Sequence, residues 1–496
     1  MTTSPFYDVA VIGGGINGCG IARDAAGRGA KVLLLEAGDL AQGTSSASSK
    51  LIHGGLRYLE HYEFGLVRES LSERERLWAI APHIIWPMRF VLPYVHGLRP
   101  RWLLRAGLFL YDHIGGRKEL RATETVVLDR HAAGAPLQSE FTKGFVYSDC
   151  WADDARLVVL NARDAANRGA DIRTRCAVTG FRREGGEWHI EAGGETFRAR
   201  AVVNAAGPGV LEVLEAGHIP DGRKMRLVRG SHIVTARLFD HDFAYFFQLP
   251  DGRIFFAIPY EEDFTLIGTT DADHHGPLDH VAASAEEIAY LCDGANRFFQ
   301  QQITPEDIVW SYAGVRPLID DGSGKPEAAT RGYRIELSDE SEGAPLLNVF
   351  GGKLTVYRHL AQEAVDRLAT RLPLTPNSGW TADTALPGGE FHFAGFPAVA
   401  EMVAERYPFF DARTARRLAH AYGSDVFAIF GDASSLGDCG EDFGHGLTAR
   451  EADHLVANEW ARTADDILWR RTKLGLRFSP AEAQALENYL NERIAA

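Results

Sequence analysis

The sequence has 496 residues, 45% hydrophobic and 24% charged, enough for two or three domains with buried cores. A formal net charge of −15 argues against general nucleic-acid binding, which leaves a basic footprint. The five cysteines are widely spaced with no CxxC pair, which argues against a zinc site or redox dithiol, and no uncharged apolar run reaches the roughly 18 residues of a spanning helix. The start, MTTSPFYDVAVIGGG, shows no charged leader with a cleavage site, and thiols kept reduced point to the cytosol.

Asp8 to Ile12 reads as a buried strand running into GGGINGCGIARDAAGRG. Gly13, Gly15 and Gly18 match G-x-G-x-x-G, and Ala22 allows close helix–strand contact. Lys31 to Leu35 supplies a second apolar strand, and Glu36 ends it 23 residues after Gly13. Glycines let the backbone approach a pyrophosphate, the helix N-terminus stabilises its charge, and the carboxylate accepts from ribose hydroxyls. The alternative is a glycine-rich turn without a ligand. Strand, helix, strand and acid in register favour a dinucleotide, without separating FAD from NAD.

Next comes GDLAQGTSSASSK, where Thr44, Ser45, Ser46, Ser48 and Ser49 carry hydroxyls and Lys50 a cation. A flexible linker has this composition. The apolar segment that follows predicts instead a packed loop able to bond a cofactor's phosphates and ring. That segment gathers His53, Gly54, Gly55, Arg57 and Tyr58 beside the nucleotide unit.

From Leu77 to Tyr111 there is no acidic residue, but there are Trp78, Trp86, Trp102, Arg89, Arg99, Arg101 and Arg105. In RPRWLLRAGLFLY, Arg101 and Arg105 share one helical face, with leucines and aromatics on the others. The pattern suits a helix lying in a lipid interface. It equally suits a core helix with two snorkelling arginines.

Two later segments read as returns to the first sheet. ARAVVNAAGPGV (199–210) is a strand ending near Gly207, and LLNVFGGKLTVYRHL (346–360) turns at Gly351 and Gly352 into a helix beginning near Leu354. That helix N-terminus favours negative charge on a flavin ring. The cofactor domain is then discontinuous, built from 1–75, 150–225 and 335–383, with 76–149 and 226–334 forming a substrate- and membrane-facing domain.

Within 226–330, MRLVRGSHIVTARL, DGRIFFAIPYEEDFTLIGTTD and IVWSYAGVRPLI predict an antiparallel sheet over the flavin face. Arg229, His232, Thr269, Thr270, Arg316 and Arg331 lie on or beside these strands. Arg316 sits among apolar neighbours in AGVRPLI, and a buried guanidinium needs an anion such as phosphate or carboxylate. Residues 384–496 turn helical after ALPGG, and His420, His445 and His454 read as helix-packing residues.

Together IGGGINGCGIARDAAGRG, TSSASSKLIHGGLRYLEHYEFGLV, YSDCWADDARLV, GSHIV, IGTTD, GVRPL, FGGKLTVYR, EDFGH and ADDILWRRTKLGL resemble the FAD-dependent glycerol-3-phosphate dehydrogenases, most closely the aerobic bacterial enzymes of the cytoplasmic membrane. The resemblance runs to about residue 476. It implies an α/β chain (α+β overall) with a Rossmann-like FAD domain, a D-amino-acid-oxidase-like antiparallel substrate domain and a helical C-terminal cap. It also implies oxidation of sn-glycerol 3-phosphate to dihydroxyacetone phosphate by hydride transfer to FAD, with electrons passing to quinone at the cytoplasmic face of the inner membrane. Attachment would be monotopic, which favours the lipid reading of 77–111; a homodimer stays open.

By the same resemblance, Arg316 and Arg331 clamp the substrate phosphate, and Arg57, Tyr58, Thr270 and Lys353 line the reacting end. His232 is the preferred base, since an imidazole titrates near working pH, and His53 is assigned to local packing. Lys353 also stabilises the reduced flavin. The cofactor would be held by Gly13, Gly15, Gly18, Glu36, Thr44, Ser45, Ser49, Lys50, Leu51, Gly207, Gly352, Lys353, Leu354 and Thr355. Competing readings are a soluble glycerol-3-phosphate oxidase using O₂, an amine or amino-acid oxidase on the same fold, and a non-enzymatic flavin-carrying scaffold.

Overall fold

A computed structural model describes residues 5–249, 251–319, 332–339, 341, 343–375 and 379–495. The first strand, Phe6–Ile12, lies at the centre of an eight-stranded sheet. Its parallel neighbours are Val32–Leu35 on one side and Glu195–Asn204 on the other. Leu346–Gly351 extends the sheet beyond Glu195–Asn204, and Asp171–Arg173 extends it beyond Val32–Leu35. VLLL is buried at every position, as a strand covered on both faces requires. The helices Ile16–Gly27, Asp154–Asn167 and Tyr357–Ala369 pack on this sheet, their small and aliphatic residues merging into one core. The expected strand–glycine–helix return is present, but a tight 3₁₀ turn, Leu354–Val356, precedes the helix at Tyr357.

The second sheet has ten strands and is mostly antiparallel. Its floor is the pair Met225–Ala236 and Ile308–Ile319. It also takes in Ile85–Pro93, Lys143–Ala152 and the short strand Leu51–Ile52. The chain therefore enters this sheet just after Lys50 and leaves it just before Asp154. The basic stretch 77–111 is divided: Arg89 lies on the strand Ile85–Pro93 and pairs with Glu124, and only Arg101–Ile114 forms the expected helix.

The C-terminal region is helical, as its periodicity predicts. The segment TAREADHLVANEWARTADDILWRR does not form one helix, however. Ala449–Glu459 stops at Trp460, which adopts the left-handed conformation (φ 58°), and Asp466–Arg471 winds as a π-helix. Buried ion pairs moor this region to the nucleotide domain: Arg156 with Glu459, and Arg471 with Asp39 at 2.8 Å. Among the described residues, no helix is long and apolar enough to cross a membrane.

Candidate active site

A cavity of about 1340 Å³ runs from the glycine turn after the first strand to the floor of the second sheet. Gly13 adopts φ +111°, and a Cβ there would fall 2.6 Å from the Ala205 carbonyl oxygen, so only glycine lets the two strand ends approach this closely. Gly15 lines the cavity, and the following amide, Ile16 N, donates to Ser45 Oγ at 3.0 Å. Gly18 stands behind the turn. Its missing Cβ would lie 1.9 Å from the Gly13 oxygen, so its part is helix packing, not the cofactor contact expected of it. Glu36 lines the cavity and accepts from Gly14 N at 2.6 Å and Gly38 N at 2.7 Å. Burial raises its carboxyl pKa against the pull of these amides.

The hydroxyl loop divides its work. Thr44 Oγ1 donates to the Val315 carbonyl at 2.6 Å, so its hydroxyl is engaged by the substrate sheet. Ser49 lines the cavity and shares a 2.9 Å hydrogen bond with Nε2 of His232. Lys50 is turned away from the cavity, contrary to the cofactor role expected from its charge. Its ammonium is fully buried, 2.9 and 3.0 Å from the two Asp154 oxygens and 3.1 Å from the Ser46 carbonyl. A buried ammonium takes the nearest carboxylate. Leu51, Gly207, Gly352, Lys353, Leu354 and Thr355 are all found on the cavity wall.

His232 sits mid-strand, paired on one side with Tyr312 and on the other with Gly268. Gly268 makes room for the ring, since a Cβ there would fall 2.1 Å from the imidazole Cδ2. Tyr312 stacks on the other face at 4.7 Å and 11°. Burial, with Arg316 and Lys50 nearby, holds the imidazole pKa well below its usual value, so the ring is neutral at physiological pH. Arg316 also lines the cavity, its guanidinium held by Asp271 and by Thr269 Oγ1 at 2.8 Å. Arg57 and Tyr58 reach the same space, and the Lys353 ammonium lies 3.6 Å from the centre of the Tyr58 ring.

One expectation changes here. Thr270 is 3% exposed and does not face the cavity. Its hydroxyl accepts from Ser231 N at 3.0 Å and donates to Glu287 at 2.7 Å, while its neighbour Thr269 takes the lining position. Both threonines lie in the link between the strands Phe264–Gly268 and Ala272–Asp273, where no strand periodicity says which of the two faces the cavity. His53, assigned to packing, does pack edge-on against Phe256, ring centres 6.1 Å apart, and it also lines the cavity. Arg331 lies outside the described residues.

Sequence reasoning missed Trp469 and Arg470, which reach the cavity from the C-terminal π-helix. Trp469 stacks on Trp310 at 4.5 Å, and Arg470 bonds Asp39 at 2.6 Å. Both lie in ADDILWRRTKLGL, which counted toward the family resemblance, but nothing in that segment assigned either side chain to the cavity.

The model of the FAD-dependent oxidoreductase family matches residues 8–358, and that of the C-terminal domain of alpha-glycerophosphate oxidase matches residues 380–492. The chain is 52% identical to a glycerol-3-phosphate dehydrogenase of Pseudomonas aeruginosa, covering 98% of this chain and 95% of that one. It is 50% identical to a D-erythritol 1-phosphate dehydrogenase of Brucella abortus, covering 98% and 97%. The structure is similar to that of a glycerol-3-phosphate dehydrogenase from Bacillus halodurans complexed with FAD, with a TM-score of 0.74 and 29% identity over 98% of this chain and 94% of that one.

The cavity fits a flavin dinucleotide. Its volume exceeds the roughly 300–1,000 Å³ of ordinary ligand pockets, it is lined by a helix N-terminus and by Glu36, groups of the kind a pyrophosphate and a ribose need, and the Gly351–Gly352 turn lines it beside Asn17, whose amide donates to the Gly351 carbonyl at 3.1 Å. Gly13→Ala, which drives a methyl into the Ala205 carbonyl, is expected to yield folded protein without FAD. Absorbance near the flavin band after purification measures this, and full occupancy would contradict the assigned place of the turn.

Proposed function

The chain belongs to the glycerol-3-phosphate dehydrogenases of the FAD-dependent oxidoreductase family, and from that membership we propose that it oxidises sn-glycerol 3-phosphate to dihydroxyacetone phosphate and delivers the electrons to a membrane quinone. The observation that carries the substrate reading is one cavity holding a nucleotide turn, a cation for a phosphate and a neutral imidazole for a proton. When bound, FAD accepts the hydride and returns the electrons to the acceptor. The protein's own residues do the rest. The guanidinium of Arg316, kept in place by Asp271 and Thr269, presents donors to a phosphate. Asp271 offsets part of its charge, so a second cation is needed for a dianion, the part assigned to Arg331. Lys353 and Arg57 bring positive charge to the reacting end, where an alkoxide develops as the hydroxyl proton leaves.

The surface helix Arg101–Ile114 supports placement on a membrane. Leu108 and Tyr111 are buried, whereas Trp102 is 71% and Phe109 57% exposed, with Leu103 and Leu110 beside them and Arg101 and Arg105 exposed at the edge. An outward apolar stripe bordered by arginines suits the headgroup region of an anionic leaflet. It favours a quinone over O₂ as the acceptor, because quinone is dissolved in that leaflet.

Anaerobic glycerol 3-phosphate is expected to bleach the flavin band of the purified protein, with D-erythritol 1-phosphate run beside it. Bleaching by the tetritol phosphate alone would overturn the substrate reading. Arg316→Ala should raise the KM for the phosphorylated substrate at least about tenfold, the scale of a lost charge-assisted pair, with FAD content unchanged. For the membrane, a Trp102→Glu, Phe109→Glu double variant should lose co-sedimentation with anionic vesicles while still reducing a soluble dye at the wild-type rate. Equal sedimentation of both proteins would refute the assigned surface.

A further inference from the structure

Ser49 and His232 are joined, and the way they are joined restricts how a proton can travel. The imidazole is 2% exposed. Its Nδ1 is fully enclosed and has no hydrogen-bond partner among the described residues. Tyr312 covers one face of the ring, and the strand of Gly268 flanks it on the other side. Nε2 is the nitrogen left to communicate with the cavity, and Nε2 already holds the Ser49 hydroxyl at 2.9 Å. Ser49 itself is half-buried and lines the cavity.

We propose that Ser49 is a catalytic residue: its hydroxyl takes the substrate's hydroxyl proton while passing its own to Nε2 of His232. This rests on the reading of the cavity as a polyol-phosphate oxidation site. In the step, the substrate O–H bond breaks and a new O–H bond forms on Ser49. The original Ser49 O–H bond breaks and an N–H bond forms at Nε2. The C2–H bond breaks with its electron pair leaving as hydride to the bound flavin, the oxidant of the family's activity. The carbon–oxygen bond becomes a carbonyl, Ser49 ends neutral and His232 ends as imidazolium. For Nε2 to accept, the single proton of the neutral ring must sit on Nδ1.

The serine is held for this task from behind. Asp154 is fully buried and accepts from Ser48 N at 3.2 Å and Ser48 Oγ at 2.7 Å as well as from Lys50. The Tyr312 hydroxyl donates to the Ser48 carbonyl at 2.8 Å, so the ring that stacks on His232 also fixes the peptide leading into Ser49. The hydroxyl thus reaches Nε2 from a chain whose preceding residue, Ser48, is pinned through its amide, its carbonyl and its side chain, the preorganisation that proton transfer needs. Burial beside Arg316 and Lys50 keeps the acceptor neutral before turnover.

The test compares anaerobic flavin reduction by glycerol 3-phosphate and by D-erythritol 1-phosphate in the wild type, Ser49→Ala, Ser49→Thr, His232→Gln and the Ser49→Ala, His232→Gln double variant. FAD content is measured for each. Ser49→Ala should slow reduction on the order of 100-fold, the scale of general acid–base assistance, with little change in substrate affinity. Ser49→Thr should restore most of the rate, and the double variant should be no slower than the worse single. Ser49→Ala reducing within about twofold of wild type, or single losses that multiply in the double variant, would overturn the proposal. Nitrogen-15 spectra of His232 in the resting protein give a second readout without substrate: the Nδ1–H tautomer is expected, and the Nε2–H tautomer would overturn the relay. Failure of glycerol 3-phosphate to reduce the wild type would instead sink the substrate reading, the relay then being judged on the tautomer and on the phosphate that does react.

Discussion

The ion pair between Lys50 and Asp154 is the constraint on which the site depends. Both side chains are fully buried. Lys50 adopts the left-handed conformation at φ 59°, just before Leu51 pairs with Trp151. Asp154 opens the helix that begins as the partner strand ends, and Ala152 N donates to the Lys50 carbonyl at 2.9 Å. One pair therefore ties the place where the chain first enters the antiparallel sheet to the place where it first leaves it. Burial alone would raise the Asp154 pKa, but Lys50 and Lys473 hold it below the usual carboxylate range. Removing one partner of such a pair leaves an uncompensated buried charge and costs about 3–5 kcal/mol. Its position is what brings a loop that follows the nucleotide strand within reach of a histidine from the other sheet.

The cavity is a shared product of three regions of the chain. The nucleotide sheet supplies the glycine turn and Glu36, the antiparallel sheet supplies His232 and Arg316, and the C-terminal π-helix supplies Trp469 and Arg470. A run of ring contacts, Trp469 on Trp310, Trp310 beside Tyr312 and Tyr312 on His232, leads from the C-terminal region to the imidazole in steps of 4.5, 4.8 and 4.7 Å. The C-terminal helices are thus part of the active-site wall, and Arg471 on Asp39 fixes their approach. The helix Arg101–Ile114 is joined to the loop beside the site through its buried face: Tyr111 accepts from Gly54 N at 2.8 Å and donates to Asp149.

Much of this was legible in the residues. The dinucleotide turn has a spacing tied to one local geometry, and Gly13, Gly15, Glu36, Gly207 and Gly352 all line the same cavity. What local pattern does not encode is which side a residue faces when its charge could serve two purposes. Lys50 was read as a cofactor cation because the carboxylate that takes it is 104 residues away. Thr270 and Thr269 are neighbours in a link between strands, and their partners, Glu287 for one and Arg316 for the other, are distant in sequence. Trp469 enters from a domain whose helical periodicity speaks only of its own core. Each miss is a tertiary choice between equivalent local chemistries.

Buried charge at the sheet crossing sets the geometry of Ser49 and His232. The most direct measurement replaces the pair with apolar residues of similar size, Lys50→Met with Asp154→Leu, since such exchanges often preserve or raise stability while removing the hydrogen bonds. The account predicts a folded, FAD-loaded protein whose flavin is reduced by substrate at least about tenfold more slowly than wild type, because Ser48 loses its anchor. Reduction at the wild-type rate in that folded double variant would contradict it.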